Sequence, residues 1–275
     1  MYKFLFFLLF CLSFLEAKPI VSVSIPPQAY FVKQIAKDSV EINILIAPNS
    51  DEHNFDFKLQ DALKLSKSDL FFRANMDFEN TMLDKFQNLF SNLTLVDTNA
   101  NITLLSPSNH HSHHHFDPHT WLDPNCVKIQ AKNILEALSQ KYPQNKEFYQ
   151  ANYLNFIKEL EALDSHIKTT LTPLKTRQFI VYHPSWSYFA KAYDLVQLPV
   201  EINGKEPKPK ELLELIKKAK ENNIKAVFVQ PGFPKNATET LAKELDAKVV
   251  QINHLSRDWK NELLKTTQSL ADSLK

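Results

Sequence analysis

Short apolar runs rich in β-branched residues alternate along the chain with longer stretches whose apolar positions recur every three or four residues. That alternation predicts a parallel α/β sheet. The first strands expected are "IVSVSI" (Ile20–Ile25), "VEINILI" (Val40–Ile46), "DLFFRA" (Asp69–Ala74) and "LTLVD" (Leu93–Asp97), with helical spacing near Pro27–Lys37, Leu59–Lys67 and Glu79–Leu89. A second set follows: strands at Gln178–His183, Leu195–Val200, Lys225–Gln230 and Ala247–Ile252, and helices at Ser185–Tyr193, Lys208–Asn222 and Asn236–Leu245. Two α/β lobes of similar build are implied, each around a mostly parallel four-stranded sheet flanked by helices.

Between the two sets, Pro143–Leu174 carries apolar residues at Phe148, Tyr149, Leu154, Phe156, Ile157, Leu160, Leu163 and Ile167. This 3.6-residue period lasts about 28 residues, enough for a helix roughly 40 Å long that would brace the lobes rigidly. Two shorter helices broken near Asp164 are the alternative. The expected organisation is a signal peptide at 1–17, an N-terminal lobe at 18–142 with a His-rich loop at 109–116, a linking helix at 143–174, and a C-terminal lobe at 175–275.

The first residues, "MYKFLFFLLFCLSFLEAKPI", read as a secretory signal, with Lys3, an apolar run from Phe4 to Leu15, and Ala17 before the cut. The run is shorter than the roughly 20 residues that span a bilayer. Cys11 lies inside it, a poor place for a lipid-modified cysteine. Cleavage would leave Cys126 as the one thiol, so no internal disulfide is expected in an exported, periplasmic protein. Cys126 itself reads as a small buried hydrophobe rather than a ligand.

Charge selects no partner: Lys and Arg total 32 against 31 for Asp and Glu, so nucleic acid is not expected. Only Gly204 and Gly232 occur, which excludes a dinucleotide-binding turn and a phosphate-binding Walker loop.

Six of the ten histidines fall within "NHHSHHHFDPHTWLDP", Asn109 to Pro124. His119 is framed by Asp117, Pro118, Trp121, Asp123 and Pro124, and Asp123 before Pro124 reads as a helix N-cap followed by proline at the first helical position. His110, His111, His113, His114 and His115 sit instead in a polar segment without periodicity. They are candidates for accessory metal capture, weak and exchanging, or else a solvated loop of low complexity. His53 follows one strand and His183 ends another. Ligands of parallel α/β sheets gather at the carboxyl ends of strands, so His53, His119 and His183 can meet in a cleft between the lobes. A tetrahedral zinc site there would take three imidazoles and one oxygen from water or a carboxylate, and Glu52 is the nearest carboxylate in sequence.

The succession "SDEHNFDFKLQDALKLSKSDLFF", a His-rich loop, "DPHTWLDP", "VYHPSWSYFAKAYDL", "GKEPKPKELLELIKKAK" and "VFVQPGF" resembles the zinc-uptake solute-binding proteins of bacterial ABC transporters, the ZnuA-like branch of the cluster 9 metal-binding family. The similarity runs through essentially the whole mature chain. It implies two lobes joined by the long helix with limited hinge motion, and metal-binding histidines at His53, His119 and His183. It also implies a monomer that hands Zn2+ to an ABC permease in the inner membrane with its ATPase. Manganese-type relatives place carboxylates at the third and fourth ligand positions, whereas His183 and the pair Glu52 and His53 stand here. Zinc is therefore expected, and imidazole suits it better than manganese.

Near the last strand the family often has an Asp before "PL", while this chain reads "QINHLSRDW" with Asn253, His254 and Asp258. His254 reads more readily as a surface histidine than as a ligand replacing water or Glu52. Gln230 stands where relatives often carry glutamate, and His166 is taken as uninvolved. Zinc affinity is expected to collapse as pH falls through the histidine range near 6.5. The alternatives are a periplasmic zinc buffer or adhesin acting through the His loop, a manganese-binding member of the same family, and, last, a zinc hydrolase, for which no HExxH element is present. An enzyme is not expected.

Overall fold

Each of the eight β-branched runs forms a strand shorter than the run itself: β1 (Ile20–Val23), β2 (Glu41–Ile44), β3 (Leu70–Arg73), β4 (Thr94–Asp97), β5 (Gln178–Val181), β6 (Val196–Pro199), β7 (Ala226–Val229) and β8 (Lys248–Gln251). The structure is a computed structural model that describes residues 17–48, 50–76, 78–79, 90, 92–106, 116–202, 204–233 and 236–275. Strand β1 stops at Val23 because Pro26 and Pro27 follow at once, and proline can start a helix but cannot donate to a ladder. All pairings between these eight strands are parallel, in the orders β2-β1-β3-β4 and β6-β5-β7-β8, so the second sheet repeats the topology of the first.

The helices are α1 (Pro26–Ala36), α2 (Leu59–Leu65), α3 (Pro124–Lys141), α4 (Lys146–Leu171), α5 (Ser187–Ala192), α6 (Pro209–Glu221), α7 (Asn236–Leu245) and α8 (Trp259–Leu274). The leader before Ala17, the segment His110–His115 and, past Glu79, the helix expected over Glu79–Leu89 lie outside the described residues. No helix among the described residues is long and apolar enough to cross a membrane.

The long helix α4 is one piece of 26 residues, about 39 Å at 1.5 Å per residue, preceded by a short 3-10 turn at Pro143–Asn145. Asp164 does not break it, because its carboxylate faces inward and is satisfied from both sides. It accepts from Lys168 Nζ at 2.6 Å, from Asn125 Nδ2 of α3 at 3.2 Å, and from the Tyr193 hydroxyl beyond α5 at 3.1 Å.

The last helix, α8, was not expected. Its buried residues Trp259, Leu263, Leu270 and Leu274 keep helical spacing, and the helix packs on α4 and reaches back to the N-terminal lobe. There the Trp259 ring meets Phe31 edge-on at 5.0 Å, and its Nε1 donates to the Trp121 carbonyl at 2.7 Å. One hydrophobic core consequently runs from Val23 and Phe72 of the first sheet through Trp121 and Phe156 to Phe179 and Phe228 of the second. Wide separation of the lobes would expose that core to water, at a cost that scales with the apolar area uncovered.

Candidate metal centre

The polar side chains of the cleft come from segments that follow strands of both sheets: Glu52 and His53 after β2, His119 after β4, His183 after β5, Glu201 after β6 and His254 after β8. Glu52 and His53 lie on a 3-10 turn (Glu52–Asn54) between β2 and α2, capped by the Asp51 carboxylate, which accepts the His53 amide at 2.9 Å. His119 precedes a second 3-10 turn (Thr120–Leu122), and Asp123 caps α3 by accepting the Asn125 amide at 2.8 Å, the role its place before Pro124 suggests. His183 lies two residues past β5.

These elements bring Glu52, His53, His119 and His183 together, with one donor atom from each lying within 4.8 Å of all the others. His53 Nε2 is 3.1 Å from His183 Nε2, which is 3.3 Å from His119 Nε2. Glu52 Oε1 completes the group at 3.3 Å from His119 Nε2 and 3.9 Å from both other Nε2 atoms. A tetrahedron built on zinc–nitrogen bonds of about 2.0–2.1 Å has edges of about 3.3–3.4 Å, so the two separations through His183 Nε2 are those of one tetrahedral ion, while the remaining pair, His53 with His119, lies within 4.8 Å. The carboxylate has only to close by a few tenths of an ångström, by roughly the difference between 3.9 Å and that edge. Glu52 Oε2 is buried without a hydrogen-bond partner. An ion with open valence at this point fits such a site better than an apolar filling does.

Carboxylates behind two of the rings fix which nitrogen faces the cleft. Asp117 Oδ1 accepts His119 Nδ1–H at 2.7 Å and also the His119 amide at 2.9 Å. Glu201 Oε1 is 2.7 Å from His183 Nδ1. With Nδ1 engaged, Nε2 is left as the ligand atom, the usual orientation of a metal-ligating imidazole. The Phe233 ring stacks on His183 at 4.8 Å and 12° and excludes water from that face.

Electrostatics divide the three imidazoles. Burial opposes charge on His119, but Asp117 and Glu52 outweigh it and raise the group to about 9. Both its nitrogens face carboxylates, which only accept, so the metal-free ring is an imidazolium. Burial pushes His53 and His183 the other way, against the pull of Glu52 and with the help of their positive neighbours. Burial also raises Glu201 to about 7. Burial likewise opposes ionisation of Glu52, yet His254 and His119 outweigh it and hold the carboxyl well below its usual range. On these shifts one proton, on His119, stands between the metal and its site at neutral pH, so affinity is expected to begin falling above the usual histidine range rather than within it.

His254 is also corrected. It is not a surface histidine but 1% exposed, with Nε2 2.6 Å from Glu52 Oε1. Asn253 and Asp258 serve the chain instead: Asn253 Oδ1 accepts the Leu255 amide at 3.0 Å, and Asp258 accepts from the Asn261 side chain. Gln230 is buried and brackets His183, accepting its amide at 3.2 Å and donating to its carbonyl at 2.7 Å. Cys126 is partly buried, its thiol directed at Asp123 Oδ2 at 3.6 Å, and it takes no part in the cluster. His166 is exposed on α4. Glu201 was missed altogether. The root of the His-rich loop is closed on itself, with the Asp117 amide donating to the Leu105 carbonyl at 2.8 Å, and Tyr188 OH accepting the Leu105 amide at 2.9 Å while donating to the Asp117 carbonyl at 2.8 Å.

Comparison with known proteins gives a consistent set of relatives. The family model described as ZnuA, zinc-uptake complex component A, periplasmic, matches residues 21–275. The high-affinity zinc uptake system protein ZnuA of Bacillus subtilis is 30% identical over 250 residues, covering 86% of this chain and 78% of that protein. A crystal structure of a ZnuA deletion mutant with zinc bound superposes with a TM-score of 0.89 at 37% identity, over 94% of this chain and 99% of that one. A manganese-bound periplasmic metal-binding protein from Candidatus Liberibacter asiaticus shares the fold, with a TM-score of 0.81 at 22% identity over 94% and 100% of the two chains.

Proposed function

The chain belongs to the ZnuA family of periplasmic zinc-uptake components, and from that membership and the geometry of the cleft we propose that it captures Zn2+ with high affinity at Glu52, His53, His119 and His183 and delivers it to an ABC-type permease. One observation carries the reading: three Nε2 atoms, two of them oriented by carboxylates behind, gather with a buried carboxylate oxygen within 4.8 Å of one another. Three nitrogens and one oxygen suit zinc, whereas manganese favours oxygen donors. The same fold carries manganese in a distant relative, so the donor set rather than the fold supports the choice of metal.

In this reading the protein is a monomeric binding protein rather than an enzyme. Residues 18–142 and 175–275 are the two lobes, 143–174 joins them, and 1–17 direct export and are removed. The histidines His110, His111, His113, His114 and His115 gather metal as an accessory to the cleft. The described end of their loop is rooted at Asp117, the residue that orients His119, and this adjacency in the chain supports the accessory reading.

The deciding experiment is zinc stoichiometry and affinity by chelator competition near neutral pH, on protein lacking His110–His115. One tight equivalent is expected to survive and to vanish on His183→Ala. Absence of a tight equivalent would make the loop the binding element and the protein a buffer. Delivery is tested by zinc-limited growth of cells carrying His183→Ala in place of the native copy, where loss of zinc uptake is expected.

A further inference from the structure

His254 differs from His119 and His183 in what stands behind it. His119 and His183 have carboxylates on Nδ1, whereas His254 Nδ1 is buried without a partner. Its single side-chain bond is Nε2 to Glu52 Oε1 at 2.6 Å, and because a carboxylate only accepts, the proton on that bond belongs to His254. The oxygen it grips is the one facing His53, His119 and His183. Its backbone is fixed as well: the His254 carbonyl accepts Trp121 Nε1–H at 2.7 Å, and the flanking Asn253 amide is held by Glu262 Oε1 at 2.9 Å. A ring held this firmly in the loop after β8 reaches across the cleft to a carboxylate carried by the loop after β2.

We propose that His254 is a positioning residue that holds Glu52 as a one-oxygen ligand, and so biases the centre toward a four-coordinate, nitrogen-rich ion against a divalent ion that demands more oxygens. This rests on the zinc-binding reading above and adds what sets the coordination number. The hydrogen bond occupies one lone pair of Oε1 and tethers the carboxylate from outside. Oε1 then has one lone pair for the metal, and the tether resists rotation of the carboxylate. Without the tether the carboxylate can rotate and present both oxygens, which expands the coordination shell and improves the site for Mn2+.

The test uses the full mature protein and its His254→Ala, His254→Gln and Glu52→Ala variants, with Zn2+, Mn2+ and Co2+ each added alone as the probe. Removing an outer-shell partner typically costs 10–100-fold in metal affinity. His254→Ala is therefore expected to lose about tenfold or more of the Zn2+ over Mn2+ preference. Its Co2+ derivative is expected to lose the intense visible bands of a tetrahedral ion. His254→Gln, which keeps an N–H donor at similar reach, is expected to restore both. In the Glu52→Ala background the His254 substitution should change neither readout further. Should His254→Ala fail to fold, His254→Phe, which fills the buried position without an N–H donor toward Glu52, takes its place in every comparison. Wild-type-like preference and spectrum in His254→Ala, or a His254 effect that persists undiminished in the Glu52→Ala background, would overturn the proposal. Loss of tight zinc binding from the unaltered protein would instead overturn the function on which it rests, and the two failures are told apart by the wild-type titration.

Discussion

Asp117→Asn isolates what a carboxylate behind a ligand does. Asparagine keeps the shape and an oxygen for His119 Nδ1–H, but removes the charge that lies 2.7 Å from the ring. Two opposite effects follow. The charged partner strengthens His119 as a ligand, and its loss should weaken intrinsic zinc binding about 10–100-fold. The same charge also strengthens His119 as a base: burial alone would lower the ring, and Asp117 with Glu52 lifts it to about 9. At pH 7 a group of that pKa holds its proton by about 3 kcal/mol, which zinc must overcome. The variant gives back part of that cost at neutral pH and none of it above pH 9, where the proton is already gone. Its loss of affinity relative to wild type should accordingly be smallest near pH 6–7 and grow toward pH 9. Chelator competition across that range measures the ratio, and calorimetry in buffers of different ionisation enthalpy counts protons released at pH 7, expected near one for wild type and lower for the variant. A ratio that stays flat or shrinks as pH rises would refute the claim that Asp117 serves proton and metal alike.

In wild type, with His53 and His183 already neutral, log affinity should fall by about one per pH unit between pH 8 and 6, the slope of one displaced proton; a slope near three would mean all three rings titrate together. Glu79 is wholly buried, and burial raises it to about 7 although it accepts from the Ala74 and Asn75 amides at 2.9 Å. A carboxyl with a raised folded pKa contributes stability that is full below its unfolded value and lost as pH rises through 7. The stability advantage of wild type over Glu79→Gln should narrow between pH 5 and pH 8 in urea titrations, and a constant gap would count against it. Trp259→Ala removes the ring that carries α8 onto the N-terminal lobe and should cost about 3–5 kcal/mol in the same assay; less than 1 kcal/mol would show that α8 adds little to the join.

The central strands β1, β3, β5 and β7 were legible because strands buried on both faces are written as largely apolar runs, and the half-exposed edge strands because apolar, mostly β-branched residues persist in them between turn signals. Seven of the eight runs overshoot their strands at the carboxyl end, the run ending at Asp97 being the exception. His119 was legible from its immediate neighbours, since Asp117 and the Asp123 cap lie within four residues of it. Glu201 was not, because nothing near it in sequence refers to His183, 18 positions earlier. What joins them is register: β5 and β6 pair Val181 with Pro199, and two residues further along each strand stand His183 and Glu201. Knowledge of that pairing would have produced the contact. His254 failed for a different reason. The rule that located His183, a histidine just past the carboxyl end of a strand, applies equally to His254, three residues past β8, but departure from the family pattern was allowed to outweigh it. Glu52 and His53, His183, Glu201 and His254 all stand in segments past the carboxyl ends of β2, β5, β6 and β8, so a histidine at such an end in this topology begins as a candidate for the site.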